Sequence, residues 1–511
     1  MEIIVQNIEK NLLTKNGEKF LPVIGLEVHV QINTKTKMFC SCPVEYGEEA
    51  NKNICPVCTG QPGVLPVVNK RAIEMAIKTC LALKCKIHLK SIFARKNYYY
   101  PDLPKNYQIS QYEQPLATDG FVEIVSSSGI KKVLIHRLHL EEDAGKLLHS
   151  IGKEDLSYSL VDYNRTGTPL MEIVTEPCLF SVDDANEYLS TLRNILRYIG
   201  VSDCDMEKGT FRCDANVSVS NQFNGSKVVL GTKTELKNMN SFKAIREALC
   251  YEIDRQIELI SRREKVVQET RLWNESRGIT ESMRSKEEAH DYRYFPEPDL
   301  LPLVISDKWI EEIKQSLPEL PNAKRQRFIK DYSLSDYDAK VLTSEKELSE
   351  FFEQVVMETT KTASQEEIGT IAKTVCNIIT TELLGKLNLE NKTLSEVKNK
   401  ISAKHIADLV LLLLKGTISS KLLKEIFAEV WNTGKMPSEI VQQKGLVQIS
   451  DESVLEKVVD EVIKENEKIV LDYKNGKQQA IGSLIGAAMK KTSGKANPRL
   501  LNEIFKKKLS S

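Results

Sequence analysis

The stretch IGLEVHVQI, residues 24–32, alternates strictly between apolar and polar side chains. Successive side chains of a β-strand point to opposite faces, so Glu27, His29 and Gln31 share the polar face of a predicted strand. This arrangement places an acid beside an imidazole. A strand with a solvated polar face is the ordinary explanation of such a run, and the stretch by itself leaves both interpretations open.

Three further segments carry charged groups in similar surroundings. LHLEED, residues 138–143, ends an apolar run with three consecutive acids, which repel one another unless a cation or a base holds them. In PLMEIV, residues 169–174, Glu172 lies within an otherwise apolar strand and needs a partner if it is buried. FRCDANVSV, residues 211–219, alternates again and turns Arg212 toward the polar face. These strands predict an open sheet whose polar, concave face binds an oxygen-preferring cation such as Mg2+, the usual companion of ATP.

Four of the eleven cysteines are clustered in the segment 40–58. Cys40 and Cys42 are followed after twelve residues by Cys55 and Cys58, a separation at which two pairs can converge on one tetrahedral ion. Four thiolates suit Zn2+ and leave no open coordination position, so we expect a structural zinc site and not a catalytic one. Reduced structural thiols and a redox pair are the alternatives.

The overall composition is that of an ordinary globular chain. Its 511 residues require more than one domain, and 71 Lys+Arg against 71 Asp+Glu give a net charge that names no partner. Short alternating runs with Gly and Pro dominate up to about residue 300 and helical patterns dominate after it, with Ser450 predicted to cap one late helix. We predict an α+β fold with a β-rich domain at 1–300, a helical domain at 301–415 and a helical tail domain at 416–511.

No segment predicts membrane insertion or export. The apolar run 409–414 is far shorter than the roughly 18 residues that cross a bilayer. The first twenty residues contain Glu2, Glu9 and Glu18, unlike a secretory signal or a transit peptide. The sequence therefore predicts a cytoplasmic protein, and the absence of a disulfide-framework spacing agrees with a reducing compartment.

The common nucleotide-binding motifs are missing from the sequence. We find no GxxxxGK[ST] loop and no GxGxxG after a strand, so a nucleotide site must be built differently. Lys237 and Arg293 are candidate phosphate-binding cations, although each alone is more often a salt-bridge residue. Residues 471–511 hold nine Lys/Arg against two acids, an excess that fits contact with a phosphate backbone. A merely solvated, lysine-rich terminus is the alternative.

Ten segments, taken in order, resemble the B subunit of the aspartyl/glutamyl-tRNA amidotransferases, the GatB family. The resemblance covers essentially residues 22–508, whereas the segment before Leu21 runs longer than the family pattern and the four-cysteine set occurs in only some members. The matching segments are IGLEVHVQ, QPGVLPVVN, NYYYPDLPKNYQIS, RLHLEEDAGK, SLVDYNRTGTPLMEIVTEP, FRCDANVSV, TELKNMNSF, DYRYFPEPDL, GLVQIS and KANPRLL.

The resemblance implies a cradle domain with an antiparallel sheet, similar in fold to glutamine synthetase, followed by a helical domain and a tail that contacts the tRNA body. It implies that Mg2+ is held by the histidine of EVH, the second glutamate of LEED and the glutamate of PLMEIV. In this chain these are His29, Glu142 and Glu172. Glu27 and Glu141 flank them, as groups that support these ligands or hold a second metal.

The implied reaction is the amidation of misacylated Glu-tRNA(Gln) or Asp-tRNA(Asn) to Gln-tRNA(Gln) or Asn-tRNA(Asn). The γ-phosphoryl of ATP is transferred to the side-chain carboxylate, and ammonia then attacks the acyl phosphate. The resemblance also implies a heterotrimer, in which the amidase subunit GatA supplies the ammonia and the small subunit GatC joins the two. The sequence shows no Gly-x-Ser-x-Gly elbow of its own, in agreement with this division.

Three rival interpretations remain at this point. One is a zinc-bearing RNA-binding subunit whose carboxylates are structural, and another is a free-standing carboxylate-amine ligase related to glutamine synthetase. The third is the archaeal relative GatE, which carries an extra insert between cradle and helices. The direct run from Pro298 into the helical region leaves no room for that insert.

Overall fold

The computed structural model describes residues 2–5, 8–126, 129–151, 154–285, 292–362, 368–445, 452–474, 477, 479–492, 496 and 498–509. The chain divides into two compact units, Met1–Leu320 and Pro321–Ser511, which we call the sheet unit and the helical unit. The described part of the sheet unit is rich in strands, and that of the helical unit is all-helical. This confirms the predicted α+β class. The boundary predicted near residue 300 lies inside the sheet unit, and the division into three domains stays a prediction.

The described residues of the sheet unit form strands joined by long helices and a short 3-10 helix, Ile8–Asn11. The strands are β1 (Glu2–Ile4), β2 (Leu13–Lys15), β3 (Glu18–Gln31), β4 (Lys86–Ile87), β5 (Lys90–Ser91), β6 (Ala94–Asn97), β7 (Tyr107–Ser110), β8 (Ala117–Ser126), β9 (Gly129–Glu142), β10 (Lys146–Ile151), β11 (Glu154–Asp162), β12 (Pro169–Thr175), β13 (Phe211–Ser220), β14 (Phe223–Asn224), β15 (Lys227–Val229), β16 (Thr234–Lys237), β17 (Glu269–Asn274), β18 (Ile279–Ser285), β19 (Phe295–Pro296) and β20 (Leu303–Val304). The helices are α1 (Lys70–Ala82), α2 (Val182–Tyr198), α3 (Phe242–Ser261) and α4 (Asp307–Gln315).

One large sheet organises this unit. Within the described residues it joins ten strands in the order β18-β17-β16-β13-β3-β12-β9-β8-β4, with β2 also paired to β3. Neighbouring strands run antiparallel, except that β16 and β17 run parallel. The sheet predicted to be antiparallel is therefore mixed.

The alternation in β3 separates the two faces of the sheet as the sequence predicts. Leu26, Val28 and Val30 are fully buried in one apolar core together with side chains of α1, α2 and α3. Helix α2 begins where the Ser181 hydroxyl accepts a hydrogen bond from the Asp184 backbone N–H, and its two acids in the first turn favour the helix dipole. Because helices cover the apolar face, the other face is left for polar side chains.

The segment before Leu21, to which the sequence assigned no role, contributes strands to the sheet unit. Strand β1 pairs with β15, and β2 pairs with the start of β3. Val5 and Ile8 are buried in a small apolar cluster with Phe180 and Val228. The described part of this segment is thus packed against the unit by apolar contacts and strand pairing.

The described residues of the helical unit form helices, including a π-helical turn at Ile379–Leu383. They are α5 (Pro321–Tyr332), α6 (Asp336–Leu342), α7 (Lys346–Thr360), α8 (Ile368–Ile378), α9 (Leu384–Glu390), α10 (Leu394–Val397), α11 (Ala403–Leu414), α12 (Ser420–Thr433), α13 (Pro437–Lys444), α14 (Glu452–Glu465), α15 (Glu467–Lys474), α16 (Ala480–Lys491) and α17 (Pro498–Leu509).

Two apolar clusters hold these helices together. One extends from Phe328 to Val441 and the other from Leu455 to Leu509, so the first crosses the break predicted near residue 415. Ser450, the predicted cap, lies outside the described residues. Among the helices that the structure describes, none combines the length and the apolar character needed to cross a membrane.

Leu192 tests the packing of α2 on the sheet, because its side chain is fully buried in the core. We expect Leu192→Ala to lower the free energy of unfolding of the sheet unit by about 2–5 kcal/mol through the cavity it leaves. Calorimetry of the full chain should then show a lower melting temperature. Ser190→Ala, at an exposed position of the same helix, is the control, and equal melting of the two variants would contradict this packing.

Candidate active site and cysteine cluster

A row of polar side chains crosses four neighbouring strands of the sheet. The register places His139 of β9 opposite Glu172 of β12, and Glu172 opposite His29 of β3. His29 in turn lies opposite Arg212 of β13. Directly opposed residues of paired strands share one face, so the register alone brings these four side chains together on the polar face.

The carboxylate of Glu172 lies between two imidazoles. Its Oε2 is 3.1 Å from His139 Nε2 and 3.5 Å from His29 Nε2. Glu141 joins this group, with Oε1 3.8 Å from His29 Nε2, and its Oε2 accepts a hydrogen bond of 3.3 Å from the Ser110 hydroxyl. The sequence predicts a partner for Glu172 because its neighbours are apolar. The structure provides two histidines in that role.

Charge balance in this cluster shifts the pKa of each member. Desolvation acts to lower the pKa of His29, but Glu172 and Glu141 outweigh it and raise that pKa to about 9. Burial acts to raise the pKa of Glu172, but His139 and His29 hold it well below its usual range. Two imidazoles thus face two carboxylates, and a divalent cation would supply positive charge to the same oxygens.

The donor set fits a divalent cation. One ligand atom each of His29, Glu141 and Glu172 lies within 4.8 Å of the others. Octahedral bonds of about 2.1 Å separate ligand atoms by about 3.0–4.2 Å, so a small contraction suffices. Mg2+ commonly takes only one or two carboxylates and completes its shell with water and phosphate oxygens. The buried Nδ1 atom of His139 has no hydrogen-bond partner among the described residues, which leaves a further nitrogen near the cluster.

The cluster opens into a cleft of about 610 Å3. Besides the histidines and glutamates described above, the cleft is lined by two basic and two aromatic side chains, Lys96, Arg137, Tyr292 and Tyr294. The ammonium of Lys96 lies 4.9 Å from the centre of the Tyr292 ring. Desolvation acts to lower the pKa of Lys96, but Tyr294 and Glu141 raise it above its usual range. The cleft thus offers a cation and aromatic faces beside the carboxylates.

Sequence reasoning singled out neither His139 nor Lys96. Period-two alternation in LHLEED places His139 and Glu141 on one face, so the signal for His139 was present in a segment already singled out. Lys96 had no comparable signal. It reaches the cleft because β6 pairs with β7, whose Ser110 contacts Glu141.

Glu27 lines the same cleft, where the sequence placed it. It lies opposite Asp214 in the register, and its Oε1 accepts a hydrogen bond of 2.7 Å from Asn216 Nδ2. Burial, together with the charges of Glu172 and Glu235, raises the pKa of Glu27. Glu27 lies two residues from His29 along β3, on the same face, so its position supports a role beside the cluster.

The two predicted phosphate-binding cations differ in location. Lys237 lines the cleft, but its ammonium is paired with Asp214 at 2.6 Å and with Glu235 at 3.3 Å. Arg293 is exposed, and it is not among the residues that line the cleft, although both of its neighbours are. The structure therefore brings Lys237 to the candidate site and leaves Arg293 outside it.

Glu142 points away from the cluster, contrary to the expected ligand set of His29, Glu142 and Glu172. As the neighbour of Glu141 in β9, it faces the opposite side of the strand, where it forms an ion pair with Lys105 and accepts a hydrogen bond of 3.0 Å from the Ile109 N–H. Glu141 occupies the place that the resemblance gave to Glu142. The motif fixed the order of the acids, but strand alternation decided which of them reaches the cleft.

The third acid of this segment, Asp143, has partners of its own. Its Oδ2 accepts hydrogen bonds of 2.9 Å from Arg212 and 2.8 Å from Gln31. Burial acts to raise the pKa of Asp143, but Arg212 and Arg165 lower it. Each of the three consecutive acids thus has a separate basic or polar partner, so no single cation is required to hold all three.

The four cysteines form the second candidate site. The Sγ atoms of Cys40, Cys42, Cys55 and Cys58 lie within 4.8 Å of one another, and all four are free thiols. Tetrahedral zinc with bonds of about 2.3 Å places its sulfurs about 3.8 Å apart, close to this arrangement. A hydrogen bond from Cys40 lowers the pKa of Cys58 to about 4. The cluster is consistent with a structural metal.

Residues 22–311 match the family described as the GatB/GatE catalytic domain, and residues 350–509 match the GatB domain. The chain belongs to the GatB family. The expected resemblance is therefore confirmed, and the region that matches the catalytic domain contains every residue of the polar row.

Similar GatB proteins cover nearly the whole chain. The B subunit of the aspartyl/glutamyl-tRNA(Asn/Gln) amidotransferase of Persephonella marina is 52% identical over 96% of this chain and over its own full length. The corresponding B subunits of Carboxydothermus hydrogenoformans and Thermotoga petrophila are 53% and 54% identical, each over 96% of this chain and over 98% and 99% of their own lengths.

Replacing Glu141 and Glu142 separately tests which acid faces the cation. We expect Glu141→Gln to weaken Mn2+ binding by about 10- to 100-fold, because it removes one charged ligand, whereas Glu142→Gln leaves binding nearly unchanged. Electron paramagnetic resonance of Mn2+ titrated into the full chain measures both. Stronger weakening by Glu142→Gln would contradict the arrangement of β9.

Proposed function

We propose that the cleft of the sheet unit activates the side-chain carboxylate of Glu or Asp on a misacylated tRNA. The chain is the GatB component of a glutamine-dependent aspartyl/glutamyl-tRNA amidotransferase, a ligase that transamidates misacylated tRNA in translation. The observation that supports the cleft as its active site is the group of half-buried His29 with buried Glu141 and Glu172, in the region that matches the catalytic domain.

The chemistry explains why such a cleft is needed. The carboxylate oxygen of Glu or Asp is a poor leaving group, so ammonia cannot displace it directly. In our proposal, a carboxylate oxygen attacks the γ-phosphorus of ATP, ADP leaves, and an acyl phosphate forms. Ammonia then attacks the acyl carbon and phosphate leaves, which yields the amide and releases a proton.

Phosphoryl transfer depends mainly on positioning and on neutralising charge. A bound Mg2+ would neutralise phosphate oxygens in this cleft, where His29, Glu141 and Glu172 would hold it. Lys96 and Arg137 line the cleft with positive charge, suited to the γ-phosphoryl or to the substrate carboxylate. Lys237 is turned toward Asp214 and Glu235, so its contribution is to balance those acids.

The source of ammonia lies outside the proposed cleft. The relatives are each named as one subunit of their amidotransferase, which indicates an enzyme of several subunits. We propose that the partners are GatA, which releases ammonia from glutamine, and GatC, which joins the two in a heterotrimer. The glutamine-synthetase-like fold of the cradle and a cytoplasmic location are parts of the same proposal.

The tail of the helical unit is our candidate for tRNA contact. Helices α14 to α17 share their own apolar cluster, and three lysines, Lys506, Lys507 and Lys508, end the last helix. Part of the basic excess is neutralised internally, since Lys508 pairs with Asp460 and Lys491 pairs with Glu461 and Glu465. The net excess over residues 471–511 supports a sequence-independent contact with the phosphate backbone.

Glu172→Gln tests the proposed chemistry. In the complex assembled with the host's A and C subunits, we expect ATP-dependent amidation of Glu-tRNA and Asp-tRNA to fall about 100- to 1000-fold, because a charge that positions the cation is lost. Glutamine hydrolysis should persist. The control is Glu176→Gln, an acid beyond the end of β12 that pairs with His136.

Two outcomes would favour the rival interpretations. Full amidation by the Glu172→Gln complex would mean that the carboxylates are structural, as in an RNA-binding subunit. Amidation of a small carboxylic acid by the chain alone would instead indicate a free-standing ligase.

Metal analysis tests the proposal that the cysteine cluster holds structural Zn2+. We expect about one zinc per purified chain by inductively coupled plasma mass spectrometry, and its loss in Cys55→Ser. Cys250→Ser is the control, since Cys250 is exposed and lies outside the cluster. A zinc-free chain with four intact thiols would show that these cysteines serve only in packing.

A further inference from the structure

We infer that Lys37 is the charge-compensating partner of the metal held by the four-cysteine cluster, and that it sets how firmly this metal is retained. The inference rests on the proposal that the cysteines hold Zn2+. Lys37 is not itself a metal ligand, and its role is inferred from the contacts of its ammonium group.

The side chain of Lys37 is fully buried. Its Nζ donates a hydrogen bond of 2.7 Å to the carbonyl oxygen of Asn53 and one of 3.4 Å to that of Tyr163. The third contact is to Cys58 Sγ, at 3.5 Å. An N–H···S contact of this length is within the range of a hydrogen bond to sulfur, so the ammonium reaches the metal-binding atoms directly.

Hydrogen bonds alone do not balance a buried charge. Carbonyl oxygens satisfy the donors of an ammonium but carry no net charge, and an uncompensated buried ion is strongly destabilising. Within the described residues, no ion pair joins Lys37 to a carboxylate. Glu142, which lies in the same part of the unit, is engaged by Lys105.

The metal-bound cysteines supply the missing negative charge. Four thiolates and one divalent ion carry a net charge of four minus two, or two negative charges, whereas four neutral thiols carry none. One positive charge at Cys58 Sγ therefore fits a cluster with thiolate character and does not fit four neutral thiols. The buried ammonium thus supports thiolate charge in the cluster, which is the form in which cysteines bind a metal, by an observation separate from cysteine spacing.

Lys37 also joins the separate pieces of the site. Its backbone N–H donates a hydrogen bond of 2.9 Å to the Cys42 carbonyl in the first cysteine pair, whereas its ammonium reaches Cys58 in the second. The packing around it is close, because a Cβ atom at Gly167 would lie 3.4 Å from both Lys37 Cδ and Cys58 Cβ. Partners of this kind orient metal ligands and tune their donor strength.

The test compares two neutral replacements of Lys37 in the full chain. Lys37→Met removes both the charge and the donors, whereas Lys37→Gln keeps amide donors and removes only the charge. We expect both variants to release zinc to a competing chelator at about 10- to 100-fold lower chelator concentration than the unmodified chain. Lys35→Met is the matched control, since Lys35 precedes the same cysteine pair and is exposed.

The outcomes separate this inference from the zinc proposal. If the unmodified chain holds no metal, the zinc proposal fails and takes the inference with it. If the unmodified chain holds zinc and Lys37→Gln retains it equally well, charge compensation is wrong and Lys37 serves only as a hydrogen-bond donor.

A second measurement distinguishes weaker metal retention from a general loss of stability in the Lys37 variants. Melting temperatures with and without chelator should differ less for Lys37→Gln than for the unmodified chain, because the ammonium and the metal stabilise each other. If Lys37→Gln lowered the melting temperature by the same amount with and without chelator, the inference would be overturned.

Discussion

Glu172 imposes the main constraint on the sheet unit, because its carboxylate is charged, buried and in the middle of the large sheet. It is stabilised only where His139 and His29 lie directly opposite it on the two neighbouring strands. A shift of either strand by one residue would replace an imidazole with an apolar side chain and expose the apolar face to water. The helices on that other face therefore fix the register, and the register builds the site.

The same period of two explains what the sequence could and could not predict. The alternation of β3 was sufficient to place Glu27 and His29 on the polar face, and cysteine spacing was sufficient to bring four thiols together. The LEED motif alone does not distinguish the adjacent acids Glu141 and Glu142, whereas the alternation of LHLEED places Glu141 with His139 on one face. The pairing of β9 with β12 continues to Glu142, so this alternation holds to the end of the strand.

Features that depend on distant pairing were beyond the reach of sequence patterns. The sheet unit extends past residue 300 because β19 and β20 pair with β6 and β5, much earlier in the chain. The buried carboxylate of Glu297 accepts hydrogen bonds of 2.7 and 2.9 Å from Arg95. These bonds hold the segment with β19 and β20 against the earlier strands. The change in texture near residue 300 marks the end of the long strands, whereas the compact unit ends only after α4 has packed against α1.

The two candidate metal sites balance charge by different means, and the difference suits different functions. In the cleft, the groups facing Glu141 and Glu172 are imidazoles, and an imidazole binds a metal through an unprotonated nitrogen. A cation bound there would therefore compete with protons for the same groups. At the cysteines, the positive charge is the ammonium of Lys37, which contacts Cys58 Sγ. In our proposal, this ammonium stabilises the thiolate charge that holds the metal. These differences support our proposal that the cleft takes a cation together with substrate and that the cysteine cluster retains its metal.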